Sequence, residues 1–218
     1  MSNERNPKIK SVAREWVESI LIALLLAIVI RSYFIQPFKI PSGSMRMTLI
    51  EGDHLFVSKL RYGPQILPPV YMEIKPRFDW KIKWPDSLIP LTKKRLPGFS
   101  KPHRGDVIVF VFPGDQTKDF IKRLIAVGGE TVEIKDGEIY INDQEVTDPN
   151  IKNVYYYNRG DYGAPGQKVH VPEGYVFVLG DNSASSHDSR YWGFVPETDI
   201  IGKAEFIFWP LDRIRLIK

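Results

Sequence analysis

The sequence predicts a mostly β protein, a domain of short strands carried behind one N-terminal transmembrane helix. Three observations predict it. Ile20–Ile30 (ILIALLLAIVI) is apolar on every side. Behind it come short apolar runs separated by turn residues, with 17 Pro and 16 Gly in 218 residues, which argues against a helix bundle. No strand–helix alternation is present, so a doubly wound parallel sheet is not expected. No internal repeat is found.

The helix is justified first. A buried helix of a soluble domain would show a polar face, and Ile20–Ile30 shows none. A cleavable leader needs a small-x-small site after the apolar run, whereas here RSYFIQPFK follows. Trp16 to Phe38 spans 23 residues, about 34 Å of helix at 1.5 Å per residue. Glu18 and Arg31 then sit near the two ends, where Arg31 can snorkel. Trp16, Tyr33 and Phe34 suit the interfacial belt, and Pro37 is expected to stop the helix. This divides the chain into a short cytoplasmic tail (1–18), an anchor (19–37) and an extracytoplasmic β-rich domain (38–218). Arg5, Lys8, Lys10 and Arg14 before the anchor, against Arg31, Lys39 and Arg46 after it, lean only mildly to an inside N-terminus. No other stretch approaches 18 apolar residues, so one span is expected.

The strands follow in order. Val107–Phe112 (VIVFVF) is a continuous apolar run, and Phe120–Val127 (FIKRLIAV) is another, interrupted by Lys122 and Arg123. Thr131–Ile134 and Glu138–Ile141 flank Lys135-Asp136-Gly137, a hairpin signal. Tyr175–Leu179, Ala204–Trp209 and Ile214–Ile217 complete the set. Residues 61–104 stand apart. They hold ten Lys/Arg, three acids and eight of the prolines, a net of +7, so the rest of the chain (+4 overall) sums to −3. This stretch reads as an irregular basic insertion. Either it is a solvated loop, or it lies on anionic lipid with Trp80 and Trp84 at the interface.

Composition excludes several functions. Hydrophobic residues at 43% and charged residues at 26% support a folded core rather than disorder. The absence of cysteine removes disulfides, Cys-ligated metals and a thiol nucleophile. A net charge of +4 is too mild to imply nucleic acid. The P-loop, H-E-x-x-H, G-x-S-x-G and S-x-x-K signatures are missing. His54, His103, His170 and His187 are scattered, so no metal cluster is suggested. The neighbours Asp53-His54 and His187-Asp188 are not evidence of a triad, which is joined by geometry.

Two stretches carry a chemical signal. In Pro41-Ser42-Gly43-Ser44-Met45, Gly43 lets the backbone bend sharply, Ser44 can present a hydroxyl and Ser42 can donate beside it. A plain Ser/Gly turn also explains this pentapeptide. Lys122 lies inside an apolar strand, where desolvation lowers an ammonium pKa and frees the amine to act as a general base. A strand-edge lysine pointing to water is the alternative. Lys122 and Arg123 face opposite sides of a strand, so only one need be solvated.

Five blocks in order resemble the type I signal peptidases, the membrane-anchored serine proteases that remove signal peptides from exported proteins. They are PFKIPSGSMRMTL (37–49), GDHLFVSKL (52–60), RGDVIVF (104–110), FIKRLIAVGGE (120–130) and GDNSASSHDSRYWGFVP (180–196). The resemblance covers most of the chain, from the anchor to Trp209. It implies an antiparallel-sheet catalytic domain of signal-peptidase type, with Ser44 as nucleophile and Lys122 as general base. It also implies that Ser42 joins the Ser44 N–H in the oxyanion hole, that Ser186 hydrogen-bonds and orients the lysine, and that Asp188 and Arg190 form a bracing ion pair. Asp181 and Asn182 of the last block are structural by the same resemblance. Phe38, Ile40, Met45, Leu49, Phe120 and Ile121 align with residues lining the substrate pockets. Neither metal nor cofactor is implied. Three residues depart from the pattern: Met47 stands where the family usually has proline, Ser183 replaces a frequent arginine, and His187 replaces a small or polar residue. The insertion at 61–104 is longer than in many members.

The implied protein is a single-pass enzyme of the bacterial inner (cytoplasmic) membrane. It would be monomeric, in contact with lipid, and act on the signal peptides of preproteins emerging from the export channel. Pro37 to Ser44 is at most about 25 Å of extended chain, which keeps the nucleophile near the membrane surface. The substrate would bind as an added strand, with shallow pockets selecting small residues at the first and third positions before the cut. Two other classes share parts of the pattern. A soluble Ser/Lys autoprotease of the repressor-cleaving type should lack ILIALLLAIVI, and a membrane-anchored β binding module without chemistry should tolerate loss of Ser44.

Overall fold

The computed structural model describes residues 12–66, 71–74, 78–81 and 94–218, the two short internal stretches by backbone alone. Helix α1 (Val12–Val29) continues into a wider π-helical segment (Ile30–Phe34). Together they make 23 helical residues, long and apolar enough to cross a membrane. No α1 side chain is buried against the rest of the chain. The helix stops earlier than Pro37 suggested. Ile35 is already extended (φ −138°, ψ 131°), and Ile35–Lys39 forms strand β1. Pro37 sits inside β1 opposite Phe56. A proline is tolerated there because β1 is an edge strand, with a partner on one side only.

The remaining strands are β2 (His54–Ser58), β3 (Tyr71–Ile74), β4 (Phe78–Lys81), β5 (Val107–Val111), β6 (Asp119–Val127), β7 (Thr131–Lys135) and β8 (Glu138–Ile141). After them come β9 (Gln144–Glu145), β10 (Lys168–His170), β11 (Tyr175–Leu179), β12 (Val195–Pro196), β13 (Ile200–Trp209) and β14 (Arg215–Leu216). Two short helices, α2 (Pro149–Lys152) and α3 (Ser189–Trp192), lie among them. The main sheet has the order β1-β2-β13-β5-β6-β11-β12, with β14 on β13, and each of these neighbours pairs antiparallel. A smaller sheet runs β10-β7-β8-β9. The β7–β8 turn places Asp136 at φ 53° and Gly137 at φ 86°, the positive values a tight two-residue hairpin needs.

Three apolar clusters fill the layers. One, centred on Ile125, Ile134, Ile139 and Phe177, joins the two sheets. Another holds Ile40, Met45, Leu49, Leu55, Val57 and Val109. The third holds Ile108, Phe110, Leu124, Val176 and Val178 on the other side of the main sheet. The described residues of the insertion include β3 and β4, paired in register from Tyr71↔Lys81 to Ile74↔Phe78. Its flanks are sewn together by the Gln65↔Arg95 bridge and by Ile66 N–H to Lys94 O (2.9 Å). The reading of Trp80 and Trp84 as lipid-facing lies outside the described side chains.

Candidate active site

The chain leaves β1 at Lys39 and returns to β2 at His54. The loop between them is closed by Ile40 N–H to Asp53 O (2.8 Å) and Gly52 N–H to Ile40 O (3.0 Å). Within it Gly43–Met45 makes one 3₁₀ turn, entered from an extended Ser42 (φ −141°, ψ 158°). Met45 and Leu49 are fully buried and pin the turn to the sheet. Ser44 stays half-buried and Ser42 exposed. The loop carrying the last sequence block clamps the same turn. Asn182 donates its backbone N–H to Ser44 O (2.9 Å) and its side-chain amide to Gly43 O (2.8 Å).

Lys122 comes from β6. Its side chain is buried at 3% exposure. Its Nζ lies 2.7 Å from Ser44 Oγ and 3.0 Å from the Ile121 carbonyl. Burial lowers its pKa to about 8, against the opposing pull of Asp188 and Asp181. A hydroxyl and an amine that loses its proton more readily than an ordinary lysine are thus in direct contact across 78 residues of sequence.

Two buried ion pairs hold the surroundings. Asp188 accepts from Arg190 Nε and Nη2 (both 2.8 Å), and both side chains are fully buried. Asp188 also accepts the Gly180 N–H (3.0 Å). Arg190 reaches on to the Ser183 hydroxyl and the Tyr157 carbonyl (2.8 Å each). Ser183 therefore links two loops. The second pair joins Arg123 to Asp181 through Nε (2.9 Å) and Nη2 (2.7 Å). Sequence reasoning held that only one of Lys122 and Arg123, facing opposite sides of the strand, need be solvated. Both are buried, because Arg123 at 1% exposure is neutralised by Asp181 and bonded to the Gly105 carbonyl.

Gly180 carries a steric requirement. A Cβ there would lie 2.5 Å from the Ser44 carbonyl oxygen and 2.2 Å from Ser186 Oγ, so only glycine lets the two loops approach this closely. Ser186 departs from expectation. It is buried, yet its hydroxyl has no hydrogen-bond partner among the described residues, so the implied bond to Lys122 is not made. The amine is turned to Ser44 and Ile121 instead, and the Ser186 hydroxyl packs against Gly180. Met47 is 67% exposed.

The residues expected to line the pockets divide between two faces. Ile40, Met45 and Leu49 share one cluster, with Phe38 and Ile121 against it. Phe120 packs on the opposite cluster beside Trp192. At Phe120–Lys122, β6 has β5 on one side. Among the described residues β11 pairs with β6 only from Arg123 onward. The strand carrying Lys122 therefore offers an unpaired edge beside Ser44.

Comparison with known proteins finds a family model described as "Signal peptidase, peptidase S26", which matches residues 13–209. Signal peptidase I of Rickettsia typhi (strain ATCC VR-144 / Wilmington) is 32% identical over 239 residues, covering 95% of this chain and 84% of that protein. Signal peptidase I of Rickettsia canadensis (strain McKiel) is also 32% identical, covering 92% and 81%. A crystal structure of a signal peptidase I from Enterococcus faecalis V583 is 38% identical, with 47% of this chain and 96% of that one covered and a TM-score of 0.40.

Proposed function

The chain belongs to the signal peptidase I family, peptidase S26, whose members are serine endopeptidases that cleave signal peptides from preproteins, and from that premise we propose how its residues do so. Ser44 is the nucleophile and Lys122 the general base. The neutral Lys122 amine takes the Ser44 proton as Oγ attacks the scissile carbonyl carbon. The Ser44 N–H and the Ser42 hydroxyl stabilise the oxyanion, a contribution typically worth roughly 10²–10³ in rate per donor. The Lys122 ammonium then gives its proton to the leaving amine. A water deprotonated by Lys122 hydrolyses the acyl-enzyme. Ser186 turns its hydroxyl to the amine as Lys122 becomes charged, and Asp188 with Arg190 keeps that loop in place.

The observation that carries this reading is the 2.7 Å contact between Ser44 Oγ and a lysine amine at 3% exposure. The substrate adds as a strand on the free edge of β6. Its first and third residues before the cut face the apolar floor of Ile40, Met45, Leu49, Phe38 and Ile121, which suits small side chains.

On this reading the anchor holds the enzyme in the inner membrane and the catalytic domain lies on the extracytoplasmic side, where signal peptides emerge from the export channel. Helix ends at Phe34 and Ser44 follows ten residues later, at most about 35 Å of chain. The test is cleavage of a preprotein by the detergent-solubilised chain, with the new N-terminus mapped by mass spectrometry. Cleavage after a small-x-small sequence, absent in Ser44→Ala, is expected. Equal cleavage by Ser44→Ala would refute the assignment.

A further inference from the structure

Beside the catalytic lysine the structure carries an aromatic surface that the reaction as described does not use. The Phe120 ring centroid lies 5.5 Å from Lys122 Nζ. Phe120 stacks on Phe112 (4.5 Å, 6° between planes), and both rings meet Trp192 edge-on at 5.6 and 4.9 Å. His187 completes the surface, at 4.8 Å from Trp192 and 5.2 Å from Tyr191. His187 and Tyr191 are exposed, and the other three rings are half-buried. The surface is therefore continuous from the catalytic amine outward to solvent.

Its position relative to a bound peptide follows from β6. Ile121 packs into the apolar cluster of Met45 and Leu49, whereas Phe120 packs with Trp192 on the other face. A strand added to the open edge at Phe120–Lys122 sends alternate side chains to these two faces. On the proposed function, the first and third residues before the cut go to the Ile121 face. The residue between them then goes to the aromatic face. We infer that Phe112, Trp192, Tyr191 and above all His187 form a specificity surface for the second residue before the cut, which favours an aromatic or large aliphatic side chain there. His187 meets Phe112, Trp192 and Tyr191 and so joins the half-buried rings to the exposed Tyr191, which makes it the residue whose removal breaks the surface. This rests on the added-strand reading of the site.

The test is a set of peptides cleaved by the full chain in detergent, identical except for Phe, Leu, Ala or Asp at the second position before the cut. The wild-type kcat/KM should favour Phe over Ala by roughly three- to tenfold, the range set by typical aromatic contacts. His187→Ser should bring that ratio to within about twofold of one, and His187→Phe should retain it. The ratio is the readout because a general loss of activity lowers both peptides alike. A wild-type ratio of one, or a ratio unchanged in His187→Ser, overturns the inference. A Ser44→Ala chain that still cuts would retire the nucleophile assignment while leaving the ratio readable. An inactive Ser44→Ala chain together with a flat wild-type ratio retires the aromatic surface alone.

Discussion

Among the described residues two lysines are buried to nearly the same degree, and one of them touches a group that it could activate. Lys59, at 4% exposure, follows β2 and donates to the Ser32 carbonyl (3.2 Å) in the π-helical end of the anchor. Lys122, at 3% exposure, meets the Ser44 hydroxyl. Burial lowers both to about pKa 8. For Lys59 the positive Arg31 adds to burial and Asp119 opposes it; for Lys122 the carboxylates of Asp188 and Asp181 oppose it. A depressed pKa is thus a consequence of packing in both places. The partner decides what it does: a carbonyl oxygen gives a tie between anchor and sheet, and a hydroxyl gives a base and its nucleophile.

The largest expected effect separates the two lysines outright. Ser44→Ala or Lys122→Ala should lower kcat/KM for a preprotein by about 10⁴-fold or more, as when one member of a nucleophile–base unit is removed. Lys59→Met should stay within about threefold. Comparable losses in Lys59→Met and Lys122→Ala would erase the distinction. Next in size is the buried pair behind the base. Asp181→Ala strands the Arg123 charge, fully buried with its partner, and should cost about 3–5 kcal/mol in denaturant unfolding. A loss under 1 kcal/mol would show that Arg123 finds another partner.

The pH dependence is smaller but sharper. A base with a pKa of about 8 should make kcat/KM, with chemistry rate-limiting, fall about tenfold per pH unit below that value and level off above it. A profile flat from pH 6 to 10 would contradict this. Stability carries the same signature with a definite sign. The lysine is lowered from an ordinary 10.5 to about 8, so the folded state binds fewer protons than the unfolded state between these values. Stability therefore rises with pH through this window, and the full penalty is present below about pH 8. Lys122→Met should flatten that slope and be at least as stable as the wild type at pH 7. A steeper slope in the variant would place the penalty elsewhere.

Legibility in the sequence followed the range of the interactions. Val107–Val111 and Tyr175–Leu179 were readable because continuous apolar runs have one simple reading as buried strands, and Asp136-Gly137 dictated its own turn. The anchor's apolar run was equally plain. Its C-terminal boundary was not, because Ile35 and Phe38 suit a membrane helix as well as a strand. The pairing of β1 with β2, which decides the matter, joins Ile35 to Ser58. Ser44 and Lys122 were suggestive alone and became specific through the order of the five blocks. The burial of Arg123 was invisible because its partner is 58 residues away. The orientation of the Ser186 hydroxyl could not be read from residue identities, since it depends on how closely Gly180 and the Ser44 turn approach it. His187 was visible as a departure from pattern, but only the fold sets it against Trp192.

The central claim is that the amine against the Ser44 hydroxyl loses its proton near pH 8, well below an ordinary lysine, so that a neutral fraction serves as base at working pH. Labelling the lysine side chains with ¹⁵N and following Lys122 Nζ through a pH titration by NMR, with Lys122→Met to assign the signal, measures it directly. An inflection near pH 8, well below that of the exposed lysines, is the predicted result. An inflection near the ordinary 10.5 would leave Lys122 charged throughout the working range and contradict the account.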